Sequence, residues 1–100
     1  MSGQQVVATI PVAPDRLEEA RAVFATLIAA TRQEEGCVRY DLHESAAQPG
    51  TFVMVEEYAD QAALESHMAS PHLAAAFAAA TELLAGEVAI HPLVPVDVAG

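Results

Sequence analysis

Two histidines, His67 and His72, are the residues of this chain best suited to proton transfer. An imidazole exchanges a proton near neutral pH, so either residue could take one from a phenol or from a carbon acid beside a carbonyl. They flank Ser70-Pro71, where serine followed by proline predicts an N-cap and the start of a new helix. We therefore expect both histidines at a helix break, where each could instead simply cap or pack against the backbone.

The same histidines are a weak pattern for a metal site. Ligand pairs on a helix typically stand at i and i+4 with a carboxylate in support, whereas this pair reads H-x4-H with a proline inside it. Cys37 and His43, predicted on one strand face, could add further ligands. The interpretation we favour is that no metal binds and that Cys37 is a buried, unreactive thiol.

Two tyrosines and a glutamate could complete a substrate site. Tyr40 and Tyr58 could donate hydrogen bonds to a phenol or ketone oxygen while their rings line a slot for a flat ligand. Glu56 shares a strand face with Tyr58, and a carboxylate among apolar side chains needs a partner. It could orient a histidine or receive a hydroxyl, although pairing with Arg39 or another arginine is favoured. Apolar residues that would line a pocket, or merely fill the core, are Phe24, Met54, Met68 and Phe77.

Composition and charge exclude several classes of function. The 100 residues include 14 acidic and 4 basic side chains, for a net charge of -10, so neither nucleic acid nor an anionic membrane is an expected partner. One cysteine permits no intrachain disulfide. Without a signal peptide or a membrane-spanning apolar run, the expected location is the cytoplasm. The acidic pairs Glu18-Glu19, Glu34-Glu35 and Glu56-Glu57 are interpreted mostly as solvated faces and helix-end charges.

Hydrophobic periodicity predicts the elements that position these residues. Strands are expected over residues 4–10, 37–45, 51–58 and 87–96, with Val38, Tyr40 and Leu42 on one face of the second. Helices are expected from Pro14 or Asp15 to Gly36, from Asp60 to Met68, and over residues 72–84. The order is βαββαβ in a single domain over residues 1–100. It predicts a ferredoxin-like α+β fold with an antiparallel sheet and its helices on one face. A second copy is expected to cover the other face, giving a homodimer.

Two stretches of the sequence resemble the antibiotic biosynthesis monooxygenase family. One is Glu35-Gly36-Cys37-Val38-Arg39-Tyr40, similar to that family's E-G-small-x-x-Y segment. The other is Phe52-Val53-Met54-Val55-Glu56-Glu57-Tyr58 followed by Asp60, Leu64, His67, Ser70, Pro71, His72 and Leu73. It is similar to the family's F-x-x-x-E-x-W strand and its histidine-bearing broken helix. The resemblance implies a dimeric α+β barrel.

The resemblance also implies an activity, namely cofactor-independent oxygenation of a small quinol or polyketide-like phenol by O2. In that hypothesis His67 or His72 is the base, and Tyr40 and Tyr58 stabilise the anion. Tyr58 replaces the family's usual tryptophan, and Met54 stands where anthrone-oxidising members carry asparagine. Phe77 lies near the position of the histidine used by haem-degrading members, so neither an anthrone nor haem is expected. Two alternatives stay open, a hydroxyketone or sugar-phosphate isomerase and a non-catalytic stress-response protein that binds a small molecule.

Overall fold

The computed structural model describes residues 3–98, which form four strands and three α-helices. The strands are β1 (Gln4–Pro11), β2 (Cys37–Glu44), β3 (Thr51–Tyr58) and β4 (Ala89–Leu93). The helices are α1 (Leu17–Thr31), α2 (Gln61–Met68) and α3 (Pro71–Ala80), the last followed by a 3₁₀ turn at Thr81–Leu83. The element order confirms the βαββαβ prediction.

All neighbouring strands of the sheet are antiparallel, in the order β2-β3-β1-β4. Side chains alternate across each strand. In β3 this buries Phe52, Met54, Glu56 and Tyr58 on the inner face. Leu27 of α1 and Leu73 of α3 pack against that inner face. The ferredoxin-like α+β fold is therefore confirmed.

The inner face has two halves of different character. The apolar half is a cluster of buried side chains from β1 and the residue that follows it, α1, β3 and the 3₁₀ turn: Ile10, Val12, Ala20, Phe24, Phe52 and Leu83. The polar half lies beside α2 and buries ionisable or hydroxyl-bearing side chains: Tyr40, Glu56, Tyr58 and His67. Both halves lie on the same sheet, so β3 contributes Phe52 to one and Glu56 to the other.

Helix α1 ends at Thr31, so the prediction that it continues to Gly36 is wrong. The backbone turns instead, with Glu34 N–H donating to the Thr31 carbonyl at 2.9 Å. Gly36 is required for a close approach of the backbone to α2, because a Cβ built there would lie 2.3 Å from the Cβ of Ala63. Glycine therefore lets α2 approach the start of β2.

Two other predicted features differ from the structure. Val38 is exposed, unlike its predicted face-mates, because an irregularity between Cys37 and Arg39 shifts the register of β2 against β3. The last helix ends at Ala80, and β4 covers only five residues. Among residues 3–98, strand β4 pairs with β1 alone. This edge position suits a strand that contains proline.

The outer face of the sheet carries half-buried Val7, Val53 and Val55 beside charged side chains. Within residues 3–98 no helix packs on that face, since the helices contact the inner one. No helix in this part of the chain is long and apolar enough to cross a membrane.

Candidate functional site

A cleft with a cavity volume of about 60 Å³, partly open to solvent, lies between the inner sheet face and the helices. Its walls are mostly apolar, and the ionisable or hydroxyl-bearing side chains that line it are Tyr40, Glu56 and His67. A few polar groups in an apolar wall are typical of sites that bind small molecules.

His67 lies in the last turn of α2 and is 1% exposed. Its Nδ1 lies 2.8 Å from Oε2 of Glu34. Its Nε2 has no hydrogen-bond partner among residues 3–98. If the carboxylate is ionised, Nδ1–H is the donor to it, and the lone pair then lies on Nε2. A buried imidazole at the cleft wall thus has one nitrogen hydrogen-bonded to Glu34 and the other without a hydrogen bond within the described residues.

Glu34 joins both histidines, because Nε2 of His72 also lies 2.5 Å from the same Oε2. We call Glu34, His67 and His72 the carboxylate–histidine triad. Its three ligand-type atoms lie within 4.8 Å of one another, so the triad is the group of described residues that could hold a metal ion. Glu34 was expected to be solvated, and that interpretation is wrong, since its side chain is only 16% exposed.

The helix caps fix the positions of both histidines. Asp60 Oδ1 accepts a hydrogen bond from Ala63 N–H at 2.8 Å and caps α2. Ser70 Oγ accepts from Leu73 N–H and caps α3, while its hydroxyl donates to the His67 carbonyl at 2.7 Å. One serine therefore ends the helix of His67 and starts the helix of His72, confirming both predicted caps.

Aromatic rings hold the His67 ring in place. The ring centroids of Tyr40 and Tyr58 lie 5.3 Å and 5.1 Å from that of His67. The Tyr58 hydroxyl donates to Oε1 of Glu56 at 2.6 Å. The predicted Glu56–Arg39 pair is therefore wrong, since Arg39 binds Asp41 instead. Glu56 receives a hydroxyl, which was one of the alternatives.

Burial controls the protonation of this region. It raises the pKa of the Tyr40 hydroxyl, and the nearby Glu56 carboxylate raises it further. Burial also raises the pKa of Tyr58, together with its hydrogen bond to Glu56. Desolvation raises the pKa of Glu56 against the opposing effect of the Tyr58 hydrogen bond. Both tyrosines are therefore neutral donors at physiological pH.

The other candidate site residues fall into three places. Phe24 and Met54 are buried in the cleft wall, whereas Met68 and Phe77 line it as exposed side chains. Tyr58 is wholly buried beside His67 and does not line the cleft. Its position therefore does not support the predicted direct contact with a ligand. His72 faces a separate groove between α1 and α3.

The remaining sulfur and imidazole groups are not part of the triad, although the Cys37 N–H donates to the Glu34 carbonyl at 3.1 Å. Burial raises the pKa of the half-buried Cys37 thiol, which suits an unreactive cysteine. His43 and His91 are exposed on β2 and β4. Sequence reasoning missed Glu34, because an acidic pair beside a glycine is the usual pattern of a solvated turn. The sequence feature that came closest to identifying Glu34 was its position directly before the Glu35-Gly36 segment.

The chain belongs to the antibiotic biosynthesis monooxygenase family, whose sequence pattern matches residues 4–79. A candidate monooxygenase of Mycobacterium tuberculosis is 40% identical over 92 residues, covering 92% of this chain and 90% of that protein. A candidate monooxygenase of Bacillus subtilis is 38% identical over 77 residues, covering 77% of this chain and 81% of that protein.

Solved structures show the same similarity in three dimensions. A Mycobacterium tuberculosis protein structure superposes with a TM-score of 0.87 at 39% identity, covering 99% of this chain and 100% of that one. A candidate antibiotic biosynthesis monooxygenase from Caulobacter crescentus gives a TM-score of 0.90 at 34% identity, covering 96% and 92%. The relatives thus support a monooxygenase-like role, and their names specify no substrate.

Proposed function

We propose that this protein is a cofactor-independent monooxygenase that oxidises a small quinol or polyketide-like phenol, with His67 as the general base. The observation that carries the proposal is the state of the His67 ring. Glu34 holds Nδ1, while Nε2 is unpartnered among the described residues in a histidine that lines the cleft. This arrangement suits an imidazole that accepts a proton from a bound ligand.

The first step is deprotonation of the substrate hydroxyl by Nε2 of His67. The Glu34 carboxylate stabilises the imidazolium that forms, because it lies 2.8 Å from Nδ1. Tyr40 lines the cleft against the His67 ring, and its raised pKa keeps its hydroxyl protonated as a donor to the substrate anion. The apolar wall limits the water around a bound substrate, which strengthens these interactions.

The second stage is the reaction of the anion with O2. The phenolate passes one electron to O2, giving a phenoxyl radical and superoxide. These recombine at a ring carbon that bears hydrogen, and the His67 imidazolium returns its proton to the peroxide. Loss of water from the hydroperoxide leaves a quinone. One oxygen atom enters the product and the other leaves as water, so the phenol supplies all four electrons and no external reductant is needed.

The test is O2 consumption with menadiol as probe, together with mass spectrometry of the product formed under ¹⁸O2. We expect one ¹⁸O atom in the product of the wild-type protein. The His67→Gln variant, which keeps a donor for Glu34 but lacks a base, should be slower by about 100-fold or more. The matched control is Glu65→Gln, which changes an exposed side chain of the same helix.

Two results would contradict the proposal. One is full activity in His67→Gln with an unchanged melting temperature, which would remove His67 as the base. The other is binding of a panel of quinols and phenols with no ¹⁸O in any product, which would identify a binding protein instead.

We also propose that two copies pair through the outer sheet face. The half-buried valines of β1 and β3 support this, since apolar side chains on an uncovered sheet gain from burial. Analytical ultracentrifugation should show twice the mass of the chain at micromolar concentration, and a stable single-chain species would refute the pairing.

A further inference from the structure

The carboxylate–histidine triad has a property that proton transfer does not require. His67 Nδ1, His72 Nε2 and Glu34 Oε2 come from three separate segments of the chain, and all lie within 4.8 Å of one another. Base catalysis by His67 needs only one carboxylate on Nδ1. The convergence of a second imidazole on the same oxygen calls for a further explanation.

We propose that Glu34, His67 and His72 form a binding site for a divalent transition-metal ion such as Zn²⁺, and that the bound ion switches off His67 as a base. Two imidazole nitrogens and one carboxylate oxygen are a donor set that suits zinc and its neighbours better than calcium or magnesium. The binding stands on the triad alone, whereas the inhibition rests on the function proposed above.

The triad is close to the dimensions that such an ion requires. Metal–ligand bonds of about 2.0–2.2 Å place neighbouring ligand atoms of a tetrahedral site roughly 3.3–3.5 Å apart. Glu34 Oε2 lies 2.8 Å and 2.5 Å from the two nitrogens. The carboxylate must therefore move away from each nitrogen by less than about 1 Å, while the two nitrogens, which lie within 4.8 Å of each other, must come to a similar separation. Glu34 lies in the turn after α1, where no helix restrains its side chain.

Access and charge also favour a cation at this position. The side chain of His72 is 24% exposed and lines the groove between α1 and α3, so an ion can enter without crossing the cleft. The same open side leaves room for water as a fourth ligand, as in zinc sites with three protein ligands. The net charge of -10 attracts cations to the protein as a whole.

The position of the ion on the ring explains the switch. The ion would bind Nδ1, the nitrogen now directed at Glu34. A neutral imidazole has one nitrogen with a lone pair for bonding and one that carries hydrogen. Coordination at Nδ1 therefore places the proton on Nε2, which can then donate a hydrogen bond but cannot accept a proton from a substrate.

The experiment is calorimetric titration of the metal-free protein with Zn²⁺, followed by the same titration of four variants. We expect one ion per chain in the wild-type protein. Glu34→Gln and His72→Gln should each weaken the affinity by roughly tenfold or more. Glu35→Gln and Glu65→Gln, which change exposed carboxylates, should leave it unchanged. Circular dichroism checks that each variant is folded.

Absence of Zn²⁺ binding, or equal affinities in folded wild-type and triad variants, would overturn the metal site. A second measurement separates this from failure of the proposed function: O2 uptake with menadiol should fall on adding Zn²⁺ and recover with a chelator, whereas Mg²⁺ should have no effect. Binding at the triad with unchanged O2 uptake would overturn the switch, and with it the role of His67 Nε2, but not the site itself.

Discussion

The apolar and polar halves of the inner sheet face differ in the interactions that their buried side chains make. In the apolar half, Phe24 and Phe52 pack with ring centroids 5.3 Å apart, and shape alone decides the fit. In the polar half, each buried ionisable side chain requires a partner: Glu56 accepts from the Tyr58 hydroxyl, and His67 is hydrogen-bonded to the half-buried Glu34. Such groups contribute less to stability than apolar ones of similar volume. The difference indicates that the apolar half contributes more to the stability of the fold, while the polar half contains the groups that the proposed reaction would use.

The strongest test of this contrast is Phe52→Ala. The ring is 3% exposed in the apolar half, so its loss should lower the free energy of unfolding by about 3–5 kcal/mol. Urea denaturation followed by circular dichroism measures the change. Val38→Ala is the control, since that side chain is exposed and its truncation should cost less than about 0.5 kcal/mol. Equal effects of the two variants would show that the apolar half is not the main source of stability.

A smaller loss is expected from Tyr58→Phe, which keeps the ring and removes only the hydroxyl. The Glu56 carboxylate then lacks its hydrogen-bond donor, at a cost of about 1–3 kcal/mol by the same measurement. Glu56→Gln in the same chain should recover part of the loss, because a neutral amide tolerates burial better than an unpaired carboxylate. Strictly additive effects of the two substitutions would mean that the pair does not interact.

The smallest effect, and one of opposite sign, is expected from Glu56→Gln alone. Burial raises the pKa of Glu56, so the folded protein binds this proton more tightly than the unfolded chain. Wild-type stability therefore falls as pH rises from the unfolded pKa of about 4.3 through the folded value, and the loss is complete above it. The variant has no carboxyl group at position 56 to titrate. Its melting temperature should therefore rise relative to that of the wild type between pH 4 and pH 7. A pH-independent difference would contradict the raised pKa.

Local chemistry was enough to predict much of the scaffold. The run from Thr51 to Tyr58 alternates in burial as a strand should, and its predicted bounds are those of β3. Asp60 and Ser70 cap α2 and α3 because their side chains reach backbone N–H groups three residues ahead. These features depend on residues close in sequence, which is why pattern alone was sufficient.

Features set by distant parts of the chain were not predictable in this way. Helix α1 ends without glycine or proline, where the Arg32 guanidinium donates to the Tyr40 carbonyl of β2 at 2.9 Å. Glu34 is 33 positions from His67 in the chain, so nothing in its own segment indicated the contact. The histidines were identified as candidates by their type, but the carboxylate that orients them required the fold.

The Ser70-Pro71 break has a consequence for other chains of this kind. On one continuous helix, residues five positions apart differ by about 140° around the axis, so their side chains would point to nearly opposite sides. Here the interruption redirects the second segment until both imidazoles reach one oxygen atom. In a homologue that retained both histidines but had two helix-forming residues in place of Ser-Pro, the helix would be continuous. The two imidazoles would then no longer reach the same carboxylate. The Ser-Pro dipeptide is thus as useful as the two histidines themselves for recognising this arrangement in another sequence.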